Sequence, residues 1–71
     1  MTAFKPREII KILIKLGFVK ARQTGSHLIM YRSFDNIIIP VPIHSKDIKR
    51  GLLKGIIKQA KSKEEEFIKL K

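Results

Sequence analysis

The hydrophobic period of this chain changes at Gly17, and that change limits the folds open to it more than any other feature. Before it, Ile9, Ile10, Ile12, Leu13, Ile14 and Leu16 recur at helical spacing, Pro6 suits a first helical position and Gly17 suits a stop. At about 100° per residue these apolar side chains cover a wide arc, wider than one sheet contact needs, and Arg7, Lys11 and Lys15 share the opposite stripe. After Gly17, the segments Phe18–Arg22, Ser26–Ser33 and Ile37–Ile43 are rich in β-branched and aromatic residues. A turn sequence at Gln23-Thr24-Gly25 and the pair Asp35-Asn36 separate them, so three short antiparallel strands are predicted.

Alternation in the second strand puts His27, Ile29 and Tyr31 on one face and Ser26, Leu28, Met30 and Arg32 on the other. Pro40 and Pro42 cannot donate ladder hydrogen bonds, which assigns the third strand, or its second half, to a sheet edge. A second helix is predicted from Arg50 to Ala60, with Leu52, Leu53, Ile56, Ile57 and Ala60 on one stripe and Arg50, Lys54, Lys58 and Lys61 on another. His44–Lys49 reads as a loop. Gly55 in mid-helix costs about 1 kcal/mol relative to Ala, which implies close backbone packing or a weak point. Ser62 followed three residues later by Glu65 fits a capping box for a short last helix over 63–70 that carries Phe67, Ile68 and Leu70. The order α-β-β-β-α plus a short C-terminal helix gives an α+β fold with helices on one face of a three-stranded antiparallel sheet.

With 71 residues the chain is expected to form a single domain over 1–71. Such a chain buries only roughly 60% of its unfolded surface, so a deep enclosed cavity is not expected. Of its 16 basic residues, 14 fall in residues 1–63, where Glu8, Asp35 and Asp47 are the only acids. A body this basic attracts polyanions, because each Lys or Arg on a phosphate releases counterions. Nucleic acid is the first candidate partner and an anionic membrane surface the second. There is no cysteine, so a disulfide framework and a thiolate zinc site are excluded. Residues 1–8 lack the apolar run of a signal peptide, and nothing approaches the ~20 apolar residues of a membrane span. The chain is expected to be soluble and cytoplasmic.

Gly25-Ser26-His27 is the feature most suggestive of chemistry. It sets one of two histidines near the start of a strand with Lys20 and Arg22 in the segment before it, a suitable place for acid–base work on a phosphodiester. The alternative for His27 is an edge histidine that bonds a turn. Gly25 supplies a backbone conformation or close approach that a side chain would block, and Ser26 either contacts a phosphate or serves the turn. Tyr31 either stacks on a base or packs on the sheet.

Several segments in order resemble one family: Leu16-Gly17-Phe18, Arg22-Gln23-Thr24-Gly25-Ser26-His27, Val41-Pro42-Ile43-His44, Lys46-Asp47-Ile48-Lys49-Arg50-Gly51, Ile56-Ile57-Lys58-Gln59-Ala60 and Glu65-Glu66-Phe67. Together they resemble the HicA (YcfA-like) mRNA interferases, toxins of type II toxin–antitoxin pairs. The resemblance implies a fold similar to a double-stranded-RNA-binding domain, endonucleolytic cleavage of mRNA without a metal or other cofactor, a HicB-type antitoxin partner, and His27 as the catalytic residue. The chain departs from the common pattern in carrying Leu28 where many members have a second histidine, Asp35-Asn36 in place of Asp-Gly, and Leu52 in place of a threonine cap.

RNA brings its own nucleophile, the 2′-hydroxyl, so the protein needs only to move protons and stabilise charge. An imidazole has both protonation states accessible near neutrality and can do both, and cationic surroundings favour its use as a base. The expected products are a 2′,3′-cyclic phosphate and a 5′-hydroxyl. Ser26 and His44 are candidate helpers. Gly25, Ser26, Lys20 and Arg22 on one side and Lys46, Lys49, Arg50, Lys54 and Lys58 on the other are candidate substrate-binding residues, whereas Lys11 and Lys15 are assigned to water. Three rivals remain: a non-catalytic, double-stranded RNA-binding module, a peripheral membrane protein using segment 50–61, and a metallohydrolase. The last has two histidines without HxH or HExxH spacing.

Overall fold

The computed structural model describes residues 3–71, so the first two residues of the expected 1–71 domain lie outside the described residues. In chain order it contains α1 (Pro6–Lys15), β1 (Val19–Thr24), β2 (His27–Arg32), β3 (Ile37–Pro42), α2 (Arg50–Gln59) and α3 (Glu64–Leu70). The strands form one antiparallel sheet in the order β1-β2-β3, as expected of an α+β chain with this periodicity.

Local chemistry explains where the helices begin and end. Pro6 opens α1, and the Glu8 carboxylate accepts the Lys5 backbone N–H at 2.8 Å. That hydrogen bond, with Lys71, Lys5 and Arg7 nearby, holds the Glu8 carboxyl below its ordinary pKa. At the far end Gly17 takes φ +96°, its N–H bonds to Ile14 O and the Phe18 N–H to Leu13 O, a Schellman stop. The same pair of bonds closes α2, from Lys61 to Lys58 O and from Ser62 to Ile57 O, but there the left-handed residue is Lys61 at φ +55°. α3 starts differently from expectation. Its cap position is Lys63, and the Ser62 hydroxyl donates to the side chain of Glu66, so Ser62 and Glu65 do not form a capping box.

The core lies between the sheet and the helices. Ile9, Ile12 and Leu13 of α1, Leu53, Ile56 and Ile57 of α2 and Phe67 of α3 are buried with Met30, Ile39 and Val41 from the sheet. Phe67 meets Phe4 edge to face with centroids 6.3 Å apart, which fastens α3 across the start of the chain. The wide apolar arc of α1 is only partly covered: Ile10 is half-buried and Ile14 is 48% exposed. A Cβ added at Gly55 would meet nothing within 4 Å, so close packing does not explain that glycine.

Among the described residues, one charged residue is buried. Arg32 is 6% exposed, and its guanidinium donates to both carboxylate oxygens of Asp35 (3.1 and 2.9 Å), to Leu16 O (2.9 Å) and to Ala60 O (3.2 Å). It also lies over the rings of Phe18 and Phe34, 4.5 and 4.6 Å from their centroids. The cation thus joins the carbonyl-rich ends of α1 and α2, where a helix dipole favours positive charge.

Candidate active site and its cationic surroundings

The β1–β2 turn sets the position of His27. Gly25 takes φ +54° while Ser26 is not in the left-handed region, the pattern of a two-residue II′ turn with glycine first. Because that turn takes Gly25 and Ser26, β1 runs on through Gln23 and Thr24 rather than ending at Arg22, and the turn falls later than the sequence implied. Nothing lies within 4 Å of a Cβ added at Gly25, so the glycine serves backbone conformation and not close approach.

His27 is the first residue of β2, exposed, and its imidazole has no hydrogen bond or ion pair to any other described residue. The register makes its surroundings explicit. Across the open face of the sheet, away from the helices, run three rows: Thr24, His27 and Pro42; Arg22, Ile29 and Pro40; Val19, Tyr31 and Ile38. Successive rows stand ~7 Å apart, two residues of rise. The Tyr31 hydroxyl donates to Asn36 Oδ1 at 2.7 Å, which fixes a half-buried ring on that face.

Arg22 reaches this face because of a β-bulge. Lys20 pairs with Met30, whose side chain is in the core, whereas Arg22 pairs with Ile29; the register shifts between them at Ala21. Without the extra residue, positions 20 and 22 would point the same way. The two cations expected to act together are therefore divided between the two sides of the sheet, and only Arg22 shares a face with His27.

The remaining candidates follow β3. Ile43 N–H donates to Ser26 O at 2.8 Å, and Ile48 N–H to Phe4 O at 2.8 Å, so the loop after β3 is fastened both to the hairpin and to the segment before α1. A cleft of about 520 Å³ opens there, lined by Lys5, Arg7, Lys46, Asp47, Ser45 and Ile43 among others. Lys46 thus lies near the Ser26 end of the sheet, in company with two cations the sequence reading did not assign. The signal for Lys5 and Arg7 was their position on either side of Pro6, at a helix start, but nothing in sequence said that the 43–48 loop folds against it. His44 is exposed on this loop, two residues beyond Pro42, the partner of His27.

Arg50 belongs elsewhere: it pairs with Glu64 at 2.8 Å, and its other terminal nitrogen is buried without a partner. Lys49 precedes α2, and Lys54 and Lys58 are exposed along it. Leu53 and Ile57 of the same helix are buried, so segment 50–61 does not present the apolar face that a membrane-surface reading required. Among the described residues no helix is long and apolar enough to cross a membrane, and no three His, Asp or Glu side chains gather as metal ligands.

Compared with known proteins, residues 6–61 match a family model described as the HicA toxin of bacterial toxin-antitoxin. The chain belongs to the HicA toxin family. A comparison with curated proteins finds no match. The HicA match spans the first helix through the turn that ends α2, and so includes the Gly25-Ser26-His27 turn, Arg22, Lys46 and the α2 lysines, while α3 lies beyond it. Family membership makes this chain a toxin of the bacterial toxin–antitoxin kind, with a partner of the antitoxin kind.

Proposed function

We propose that this HicA-family toxin is a metal-independent endoribonuclease that cleaves mRNA in the cytoplasm, with His27 as its general acid and base. The observation that carries the reading is the free, exposed imidazole at the start of β2, on the same face as Arg22 and Thr24. Imidazole accepts the 2′-hydroxyl proton, the 2′-oxygen forms a bond to phosphorus, and the bond from phosphorus to the 5′-oxygen breaks. The imidazolium then returns the proton to that leaving oxygen, giving a 2′,3′-cyclic phosphate and a 5′-hydroxyl. Arg22 bears on the negative charge that develops at the phosphorane. Lys46, Lys5 and Arg7 in the neighbouring cleft take the strand's flanking phosphates, with the exposed α2 residues Lys54 and Lys58 and the preceding Lys49 adding to long-range attraction. A HicB-type antitoxin silences the enzyme by covering His27.

The test is cleavage of a labelled RNA by the parent and by His27→Ala, with product ends identified by mass. Cyclic phosphate ends from the parent and none from the variant are expected. Equal cleavage by both would remove His27 from the reaction. RNA binding without cleavage by either would favour a non-catalytic binding module.

A further inference from the structure

A second surface lies on the helix side of the sheet, away from the face that carries His27. Ile10 and Ile14 of α1 form the floor of a shallow groove of about 390 Å³, and Arg7, Lys11, Lys15 and Lys20 surround it. Ile14 is 48% exposed, which is unusual beside so many buried isoleucines on the same helix. No carboxylate is among the lining residues. The nearest acid in α1, Glu8, is committed to the Lys5 N–H and lies 3.7 Å from the Lys71 ammonium. Of the four cations, Lys15 also donates to the Leu70 carbonyl at 3.2 Å, an uncharged partner that leaves its charge unneutralised.

An apolar floor inside a cationic rim selects its ligand by both properties. A nucleic-acid backbone satisfies the rim but has no apolar group for Ile14, and it would leave that side chain in water. A lipid surface meets both demands only where several apolar groups protrude together, and here Ile10 is half-buried and Ile14, 48% exposed, stands alone among four cations. A second copy of this chain would bring a formal charge of +10 against +10. We propose that the α1–β1 groove docks an acidic polypeptide segment with apolar side chains: its carboxylates meet Arg7, Lys11, Lys15 and Lys20, and its apolar groups cover Ile10 and Ile14. Since Lys20 and His27 point to opposite faces of the sheet, such a partner is held without occupying the imidazole's face. This inference does not depend on ribonuclease activity.

The experiment follows the backbone amides of the full chain by NMR while a short peptide of alternating Glu and Leu is added. Saturable shifts confined to amides of Arg7–Lys20, with those of Ser26 and His27 unmoved, are the expected result. Ile14→Ser and Lys11→Glu should each weaken binding about tenfold, whereas Lys69→Glu, the same charge change on exposed α3, should leave it within about twofold. Equal weakening by Lys69→Glu, or no effect of Ile14→Ser, would overturn the proposal in favour of unspecific attraction. A single-stranded RNA or anionic vesicles moving the amides of Lys11, Ile14 and Lys20, which the RNA-side cleft does not share, more tightly than the peptide would overturn it in favour of those ligands. Amide dispersion of each variant establishes that it is folded.

Discussion

Two basic side chains stand five residues apart on β2, and they have opposite fates. His27, at one end, is exposed and makes no side-chain bond to the described residues. Arg32, at the other, is buried, accepted by a carboxylate and two helix-terminal carbonyls, and lies over two aromatic rings. An odd separation along a strand is a change of face. One side of the sheet therefore spends its charge on holding three elements together, while the other keeps a titratable group free for an outside ligand.

This division can be broken from either end. Replacing Arg32 by Ala should cost about 3 kcal/mol, because Asp35 and the carbonyls of Leu16 and Ala60 lose their donors, and Arg32→Lys should recover little since an ammonium cannot supply the fork. Chemical denaturation measures both. His27→Ala should do the reverse: stability within about 0.5 kcal/mol of the parent and RNA cleavage lowered at least ~100-fold. A large stability loss in His27→Ala would mean that the contrast between the two ends is false.

Smaller effects sharpen the comparison. If the cleft beside the Ser26 end holds flanking phosphates, Arg7→Ala and Lys46→Ala should each raise KM by about threefold to tenfold with kcat little changed, and flatten the salt dependence of binding. Acid should act chiefly at the Arg32 end. The Arg32 hydrogen bonds hold the Asp35 carboxyl below its ordinary value of 3.8, so the unfolded chain takes up this proton at a higher pH than the folded one. The stabilisation is present above that ordinary value and is lost as pH falls through the lower, folded one. A denaturation series across this acid range should show a steeper loss for the parent than for Asp35→Asn, with Glu8, also held low, accounting for part of the remaining slope. Last, Lys61→Gly should raise stability by about 0.5 kcal/mol, since Lys61 stops α2 in a left-handed conformation that glycine adopts without strain.

Much of this was legible in residue order because it is local physics. The period before Gly17, the strand alternation from His27 to Arg32 and the prolines of β3 each act over a few residues. The prolines fit a free edge for a reason that register explains. Ile43 bonds to Ser26, so by antiparallel alternation residues 41, 39 and 37 face β2, and Pro40 and Pro42 turn toward the outside, where no donor is required. Even Arg32 left a signal, since alternation placed it on one face with Leu28 and Met30, the face that the structure turns to the core.

What sequence could not supply was pairing across distance. The bulge at Ala21, which moves Arg22 to His27's face and leaves Lys20 on the other, depends on how β1 meets β2. The nearness of Lys5 and Arg7 to Lys46 depends on a loop some forty residues away folding against the helix start. The commitment of Arg50 to Glu64 needs α3 to pack beside α2.

By itself, then, the chain determined its elements, their inner and outer faces and its excess of positive charge, because backbone sterics and side-chain burial are settled between near neighbours. Tertiary structure alone decided which cations share a face with the histidine, which are neutralised, and which surround uncovered isoleucines. Those outcomes turn on distances across the sheet and between helices, and charge interactions depend on separation in space rather than along the chain.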